Sequence, residues 1–195
     1  HHFGIDKDIF VVMYVGHMYK WKGVDTLIEA ASQLRDNEQV WLVGGTPEEL
    51  PRIEQLINKL NATNIHLAGY VPYRHIPTYM AAADVLVIPN SGESDTSRFY
   101  TSPIKLFEYM AAKRPIIASN LPSLREIIVH GETAFLVEPD DSHLLSRAIQ
   151  RLRLDPDMAS RLVNKAAVLV NENSWSNRSK RILEFVTNVV NLSDD

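Results

Sequence analysis

Short apolar runs alternate with amphipathic segments along most of the chain. The apolar runs are continuous and rich in β-branched residues, which is typical of strands buried on both faces of a sheet. They predict strands at residues 10–15, 40–43, 65–68, 85–88, 115–118 and 134–137. Helical patterns separate them at residues 24–35, 47–60, 76–83, 103–112 and 121–130.

The alternation of strands and helices predicts the fold class. A β-α-β-α order favours a parallel sheet with helices on both faces, so we expect an α/β fold with a Rossmann-like, doubly wound, six-stranded sheet. After residue 137 the strand pattern stops, and three helical segments follow at residues 142–153, 157–171 and 176–192.

Composition narrows the class of protein further. The 195 residues are 45% hydrophobic and 23% charged, as in an ordinary soluble domain, and the absence of cysteine excludes disulfides, thiolate metal sites and cysteine nucleophiles. A net charge of -4 gives no electrostatic argument for nucleic acid, and no apolar run approaches the roughly 20 residues of a membrane span. We therefore expect a cytoplasmic protein, with residues 1–9 as a tag remnant or linker and residues 10–195 as one domain.

One long irregular segment, residues 89–101, follows the predicted fourth strand. Connections of this length in a compact domain are usually functional or disordered. Since ligands of open α/β sheets bind beyond the carboxyl ends of the strands, this segment is expected to border a binding site.

The helix after this segment begins with an unusual cation. Ser102 is a good N-cap and Pro103 suits the first helical position, which leaves the backbone N–H groups of Ile104 and Lys105 unpaired. A lysine here opposes the helix dipole, but a docked anion would attract both the lysine and the dipole. The alternative is a solvated lysine that pairs with Glu108 one turn later.

Glu108 lies in the apolar arc of the same predicted helix, with Lys105 and Tyr109 on its polar side. A carboxylate in such surroundings needs hydrogen-bond donors. Paired ribose hydroxyls would supply them, and the alternative is a salt bridge to a basic residue on a neighbouring element.

Two glycine-containing loops follow predicted strands. Gly16, His17, Lys20 and Lys22 lie between the first strand and the first helix, where a glycine and several cations suit a phosphate, although the lysines could equally be solvated. No G-x-G-x-x-G or Walker motif is present. Residues 68–72 form the second loop, whose backbone groups could bind a nucleobase edge or simply make a turn.

Candidate metal ligands are weak. The Asp-Pro-Asp sequence at 155–157 lies between two helices, so it is better explained as a turn and N-cap. The histidines show no metal-ligand spacing, and we expect no metal site.

Taken together, these segments resemble the C-terminal, nucleotide-sugar-binding domain of GT-B retaining glycosyltransferases of the glycogen-synthase and mannosyltransferase type (family 4). The resemblance spans residues 10–186 and rests on motifs that occur in the family's order, at residues 15–30, 67–71, 83–89, 102–111, 114–118, 124–128 and 131–138.

The resemblance implies roles for individual residues. Lys22 would bind the donor diphosphate and support the leaving group, with His17 beside it where many members carry arginine. Tyr70 and Val71 would hold the base, and Glu108 would match the second glutamate of the E-x7-E motif, which binds ribose. The resemblance predicts that Lys22 and Glu108 are catalytic. It predicts the following ligand-binding residues: Gly16, His17, Lys22, Tyr70, Val71, Tyr100, Thr101, Ser102, Pro103, Ile104, Lys105, Leu106 and Glu108.

One position departs from the family pattern. Tyr100 stands eight residues before Glu108, where the first glutamate of the motif would contact the transferred sugar. Glu93 or Asp95 could replace that glutamate only if their loop folds inward.

The implied function is that of a donor-binding half-enzyme, inactive in isolation. It would bind a UDP- or GDP-sugar, without metal or other cofactor, for retaining transfer of a hexosyl group to a glycan or lipid-linked acceptor. The partner would be an N-terminal acceptor domain absent from this sequence, through which alone the enzyme would touch a membrane. Two alternatives stay open: a half of a UDP-sugar epimerase-like protein, and a non-catalytic nucleotide-binding or regulatory α/β module.

Overall fold

The computed structural model describes residues 3–101 and 104–191, with side chains up to residue 187, and shows one six-stranded parallel sheet in the order β3-β2-β1-β4-β5-β6. All five strand pairs are parallel, which confirms the predicted Rossmann-like fold class. The strands are β1 Phe10–Val15, β2 Glu38–Val43, β3 Ile65–Gly69, β4 Val85–Ile88, β5 Ile116–Ser119 and β6 Phe135–Val137.

Helices connect the strands and cover both faces of the sheet. Helix α1 packs against α7 on one face, and α5 packs against α8 on the other. The helices are α1 Val24–Ala31, α2 Leu50–Lys59, α3 Ile76–Ala82, α4 Asp95–Phe99, α5 Ile104–Ala111, α6 Pro122–Arg125, α7 Ser142–Leu154, α8 Pro156–Glu172 and α9 Trp175–Asn191.

The core has two layers because successive side chains of a strand point to opposite faces. Val12 and Tyr14 of β1 belong to the layer with α1 and α7, whereas Met13 and Val15 belong to the layer with α5. All four side chains are buried, which explains why β1 is apolar without alternation.

From β1 the chain adds β2 and β3 on one side of the sheet and then returns to add β4, β5 and β6 on the other side. The direction of strand addition therefore reverses between β1 and β4, which lie side by side. In open α/β sheets, this reversal opens a crevice at the carboxyl ends of the two strands, where ligands bind. The loops that follow β1 and β4 are the glycine-containing loop with Lys20 and Lys22 and the long segment at residues 89–101, both noted in the sequence.

Two predicted elements differ most from the structure, and the helix predicted at 24–35 also ends early, at Ala31. Residues 89–101 contain a short helix, α4, and are not irregular throughout. The predicted helix at 121–130 ends early, at Arg125 in α6, because the chain then turns through Gly131 and forms a bridge between His130 and Ala134.

The described part of the predicted linker contacts the domain. Phe3 packs on Trp41 and Tyr79, with ring centroids 5.7 and 4.5 Å apart, respectively. Ile5 and Ile9 also pack against the core layer that contains β1 and α5. The two histidines assigned to a tag lie outside the described residues.

The last helix, α9, carries large exposed apolar side chains. Within the part of the chain that the structure describes, they are Trp175, Ile182, Leu183, Phe185 and Val186, each at least half exposed. No helix of the described residues is long and apolar enough to cross a membrane.

Candidate functional site

Three segments meet at the carboxyl ends of β1 and β4: the β1–α1 loop, the β4–α4 loop and the first turn of α5. A β-carbon on Gly23 would stand 1.8 Å from the carbonyl oxygen of Pro89, so only glycine allows the two loops to approach this closely. The N–H of Ser91 donates to the carbonyl of Trp21 at 3.0 Å. The loop that carries Lys22 is therefore fixed against the loop that follows β4.

Lys105 extends from the first turn of α5 towards the β1–α1 loop. Its Nζ lies 4.1 Å from the centre of the Tyr14 ring and directly beside Gly16. Burial, the largest cause, and the neighbouring charge of Lys22 together lower the pKa of Lys105 to about 7, against a smaller opposing effect of the Glu108 carboxylate. Among the described residues no carboxylate lies within 4.0 Å of this ammonium, so the predicted Lys105–Glu108 ion pair is not formed.

Lys22 lies in a 3-10 turn, Lys20–Lys22, that ends at Gly23 in the left-handed conformation. Its Nζ is 3.9 Å from the centre of the Trp21 ring, and burial lowers its pKa. As for Lys105, the structure shows no acidic partner for Lys22 within the described residues. Two partly desolvated lysines thus lie close enough for their charges to interact, without a counterion among the described residues, an arrangement suited to an anionic ligand.

His17 adjoins these lysines and is held by a residue that the sequence analysis missed. Its Nδ1 lies 3.5 Å from Oε2 of Glu49, and its ring stacks on Tyr19. Oε2 of Glu49 also accepts the N–H groups of Thr46 and Met18 at 2.8 and 3.2 Å. Glu49 therefore links the β1–α1 loop to the β2–α2 loop, a long-range contact for which the local sequence gives no signal.

Glu108 is half-buried on α5, and its Oε1 accepts the hydroxyl of Tyr73 at 3.0 Å. No lysine, arginine or histidine of the described chain lies within ion-pair distance of it, so the alternative of a structural salt bridge is not formed. Beside Glu108 is a cavity of about 240 Å³ lined by Tyr73, Ile76, Pro77, Met80, Ala111 and Ala112. The carboxylate therefore borders open space and keeps Oε2 available.

The predicted faces of α5 were partly wrong. Tyr109, placed on the polar side, is fully buried, and its Oη accepts the N–H of Val15 at 2.9 Å. Ile104, placed on the apolar side, is 69% exposed. The prediction failed because α5 is buried between the sheet and α8, and tyrosine satisfies its hydroxyl inside the core.

The remaining predicted ligand contacts lie around this crevice. The side chain of Leu106 is fully buried in the core, so only its backbone could face a ligand. Tyr70 is 77% exposed, and with Val71 it lines a cavity of about 290 Å³ after β3.

The segment before α5 shows Tyr100 on the surface, 80% exposed. Thr101 uses its hydroxyl to donate to the carbonyl of Thr96 at 2.8 Å. Glu93 is exposed and Asp95 lies 3.9 Å from Arg98, so neither carboxylate folds inward to replace the missing glutamate. Ser102 and Pro103 lie outside the described residues.

Among the described residues, no group of three or more histidine and acidic side chains lies close enough together to hold a metal ion. The distinctive chemical feature of this site is therefore its two lysines, Lys22 and Lys105.

A family model described as "Glycosyl transferases group 1" matches residues 9–155 of the chain. Among curated relatives, the alpha-D-kanosaminyltransferase of Streptomyces kanamyceticus is 28% identical over 86% of this chain and 42% of its own length. The lipopolysaccharide core biosynthesis glycosyltransferase LpsD of Rhizobium meliloti is 32% identical over 80% of this chain and 42% of its own. The chain thus spans less than half the length of these relatives.

Solved structures show the same fold. Sucrose-phosphate synthase from Thermosynechococcus elongatus superposes with a TM-score of 0.82 at 28% identity, over 98% of this chain and 48% of its own. Anabaena Alr3699/HepE, solved in complex with UDP and glucose, has a TM-score of 0.82 at 22% identity, over 95% of this chain and 50% of its own.

Proposed function

Because this chain belongs to the glycosyl transferases group 1 family, we propose that it is the donor-binding half of a glycosyltransferase that uses a UDP- or GDP-sugar. The observation that carries the proposal is the pair of lysines, Lys22 and Lys105, which face one crevice without a counterion in the described structure. A nucleotide diphosphate supplies the negative charge that this pair lacks. UDP is the first nucleotide to test, because HepE was solved with UDP and with UDP-glucose.

The diphosphate would lie between the β1–α1 loop and the first turn of α5. There the unpaired N–H groups of α5, which begins at Ile104, and the ammonium of Lys105 both attract an anion. Lys22 and His17 would contact it from the opposite loop. Gly16 allows the phosphate oxygens to approach the backbone, because it presents no side chain.

The same groups would serve the chemistry. When the glycosidic bond of the donor breaks, negative charge grows on the leaving diphosphate. Fixed cations and amide dipoles stabilise that charge without reorganisation, which is the main form of catalysis open to this half of the enzyme. Lys22 and Lys105 would neutralise the diphosphate in this scheme, so we propose transfer without a metal ion. Retention at the sugar carbon is proposed from the resemblance to retaining glycosyltransferases.

The nucleoside would extend from the diphosphate towards β3. Glu108 offers Oε2 to the ribose hydroxyls, and the cavity beside Tyr70 and Val71 would hold the base. Tyr100 and Thr101 would border the transferred hexose, where the structure places no inward carboxylate.

A second domain would supply the acceptor. The relatives are more than twice as long as their matched part, and α9 presents an apolar face that the described part of this chain does not cover. We propose that an N-terminal domain completes the cleft and binds a glycan or lipid-linked acceptor. This chain alone would then bind donor but transfer no sugar.

Calorimetric titration of the chain with UDP, GDP and their glucose and mannose conjugates tests the proposal. Binding of one nucleotide family in the micromolar to millimolar range is expected, without added metal. Absence of binding at millimolar ligand would favour the non-catalytic module. Conversion of a UDP-sugar to its epimer by the full-length protein would instead favour the epimerase-like alternative.

A further inference from the structure

The hydroxyl of Tyr73 donates to Oε1 of Glu108 at 3.0 Å. Among the described residues, this is the one hydrogen bond that the Glu108 carboxylate makes. The two residues come from different elements, 35 positions apart. Tyr73 begins a 3-10 turn, Tyr73–His75, and Glu108 lies in the second turn of α5. The contact therefore joins the segment after β3 to the helix that carries the carboxylate.

The contact spans the two places proposed for the nucleoside. Tyr70 and Val71, proposed to hold the base, precede Tyr73 by three and two residues, respectively, and Pro72, directly before Tyr73, limits the freedom of the backbone. A shift of the base loop would move the Tyr73 hydroxyl and, through it, the carboxylate of Glu108.

We propose that Tyr73 is a positioning residue, whose hydroxyl fixes Oε1 of Glu108 so that Oε2 faces the ribose hydroxyls when the base loop is in place. The inference rests on the proposed nucleotide site and adds to it the residue that orients the ribose carboxylate. A carboxylate accepts through both oxygens, so the bond to Tyr73 leaves the second oxygen available to a ligand.

The protonation state of Tyr73 agrees with this role. The hydrogen bond to Glu108 and the charge of its carboxylate raise the pKa of Tyr73, so the phenol keeps its proton at neutral pH and remains a donor. Because the half-buried Glu108 borders an open cavity, its side chain would otherwise sample several rotamers. Holding one of them reduces the entropy that nucleotide binding must remove.

The opposite role is also physically possible, because Tyr73 could occupy the carboxylate and compete with ribose. The two roles predict opposite signs for removal of the hydroxyl. Positioning predicts weaker binding of a ribose-containing nucleotide, whereas competition predicts tighter binding.

The experiment measures the affinities of UDP and 2′,3′-dideoxyuridine diphosphate for the wild type, Tyr73→Phe, Glu108→Gln and the double variant. Tyr73→Phe should weaken UDP about three- to tenfold, the value of one net hydrogen bond, and leave the dideoxy nucleotide unchanged. In the Glu108→Gln background Tyr73→Phe should have no further effect. Ser32→Ala is the control, since it removes an exposed hydroxyl that donates to the carbonyl of Glu29 at the end of α1, away from the proposed site.

Four outcomes would overturn the inference. Unchanged or tighter UDP binding by Tyr73→Phe contradicts positioning while leaving the nucleotide site intact. Equal weakening of both nucleotides indicates a merely structural effect. A wild type that binds both nucleotides equally removes the ribose role of Glu108. A wild type that binds neither contradicts the proposed function itself.

Discussion

The ammonium of Lys105 lies so close to Gly16 that a β-carbon at position 16 would stand 2.3 Å from Nζ. Gly16 also has a φ of 139°, which side-chain-bearing residues rarely adopt. One glycine thus provides both the space for a cation and the backbone conformation that directs the chain away from β1.

Gly16→Ala should therefore displace the Lys105 ammonium and strain the backbone. We expect the free energy of unfolding to fall by about 1–3 kcal/mol and UDP affinity to fall with it. Urea unfolding and calorimetric titration measure the two effects. Gly131→Ala is the matched control, because Gly131 has a φ of 73° but nothing within 4 Å of an added β-carbon. It should lose stability and keep UDP affinity, and a similar loss of affinity in both variants would contradict the account.

Lys105→Met should stabilise the ligand-free chain in a pH-dependent way. The pKa of Lys105 is about 7 in the folded state, below the ordinary value of 10.5 in the unfolded chain. Between pH 7 and pH 10.5 the unfolded state binds more protons than the folded state, so the stability of the wild type rises with pH in this range. The advantage of Lys105→Met should thus be largest below pH 7, at least about 1 kcal/mol, and vanish towards pH 10.5.

Urea unfolding of both proteins at pH 6 and pH 10, in buffers without phosphate, measures this difference. Other titrating groups cancel in the comparison because they are common to both proteins. An advantage that is equal at both pH values would show that Lys105 carries no depressed pKa.

Lys22→Gln should weaken the diphosphate part of the ligand selectively. A charged hydrogen bond contributes about 1.5–3 kcal/mol, so UDP affinity should fall by about ten- to a hundredfold while uridine affinity stays constant. The exposed Lys20 in the same turn offers the control Lys20→Gln, for which only a small electrostatic loss is expected. Equal losses in the two variants would indicate general charge attraction and not a specific contact.

Glu38→Ala should destabilise the fold without acting on the site directly. Glu38 is fully buried at the start of β2 and pairs with Arg153 of α7 at 2.6 Å, while its other oxygen accepts the N–H of Arg35 at 2.8 Å. Its removal leaves Arg153 with the Asn37 side chain but without an acidic partner, and leaves the N–H of Arg35 without its acceptor, which should cost about 3 kcal/mol. The exposed Glu29→Ala is the control in the same unfolding assay, and a cost below 1 kcal/mol for Glu38→Ala would contradict this assignment.

The fold could be predicted because its signals are local. Strands β1 and β4 have the bounds that their apolar runs predict, and the remaining strands differ from the predicted bounds by one or two residues. These strands are buried on both faces, so their sequences contain no alternation that could mislead.

The site could be predicted in outline but not in its contacts. The sequence indicated two oddly placed residues, Lys105 and Glu108, and predicted a ligand for each, with a pair between them as the alternative. In the structure Lys105 extends to Gly16 while Glu108 accepts a bond from Tyr73. Glu49 was missed for the same reason: these contacts join residues that are 31 to 89 positions apart, and their geometry depends on the assembled sheet.

The central claim is that the β1–α1 loop, the segment after β3 and helix α5 form one nucleotide site. The most direct test is a titration of the ¹⁵N-labelled chain with UDP, followed through its backbone amide chemical shifts. The largest changes are expected at Gly16, Lys22, Tyr70, Lys105 and Glu108, saturating together with one dissociation constant. Changes confined to other surfaces, or changes at these amides that saturate at different UDP concentrations, would contradict the account.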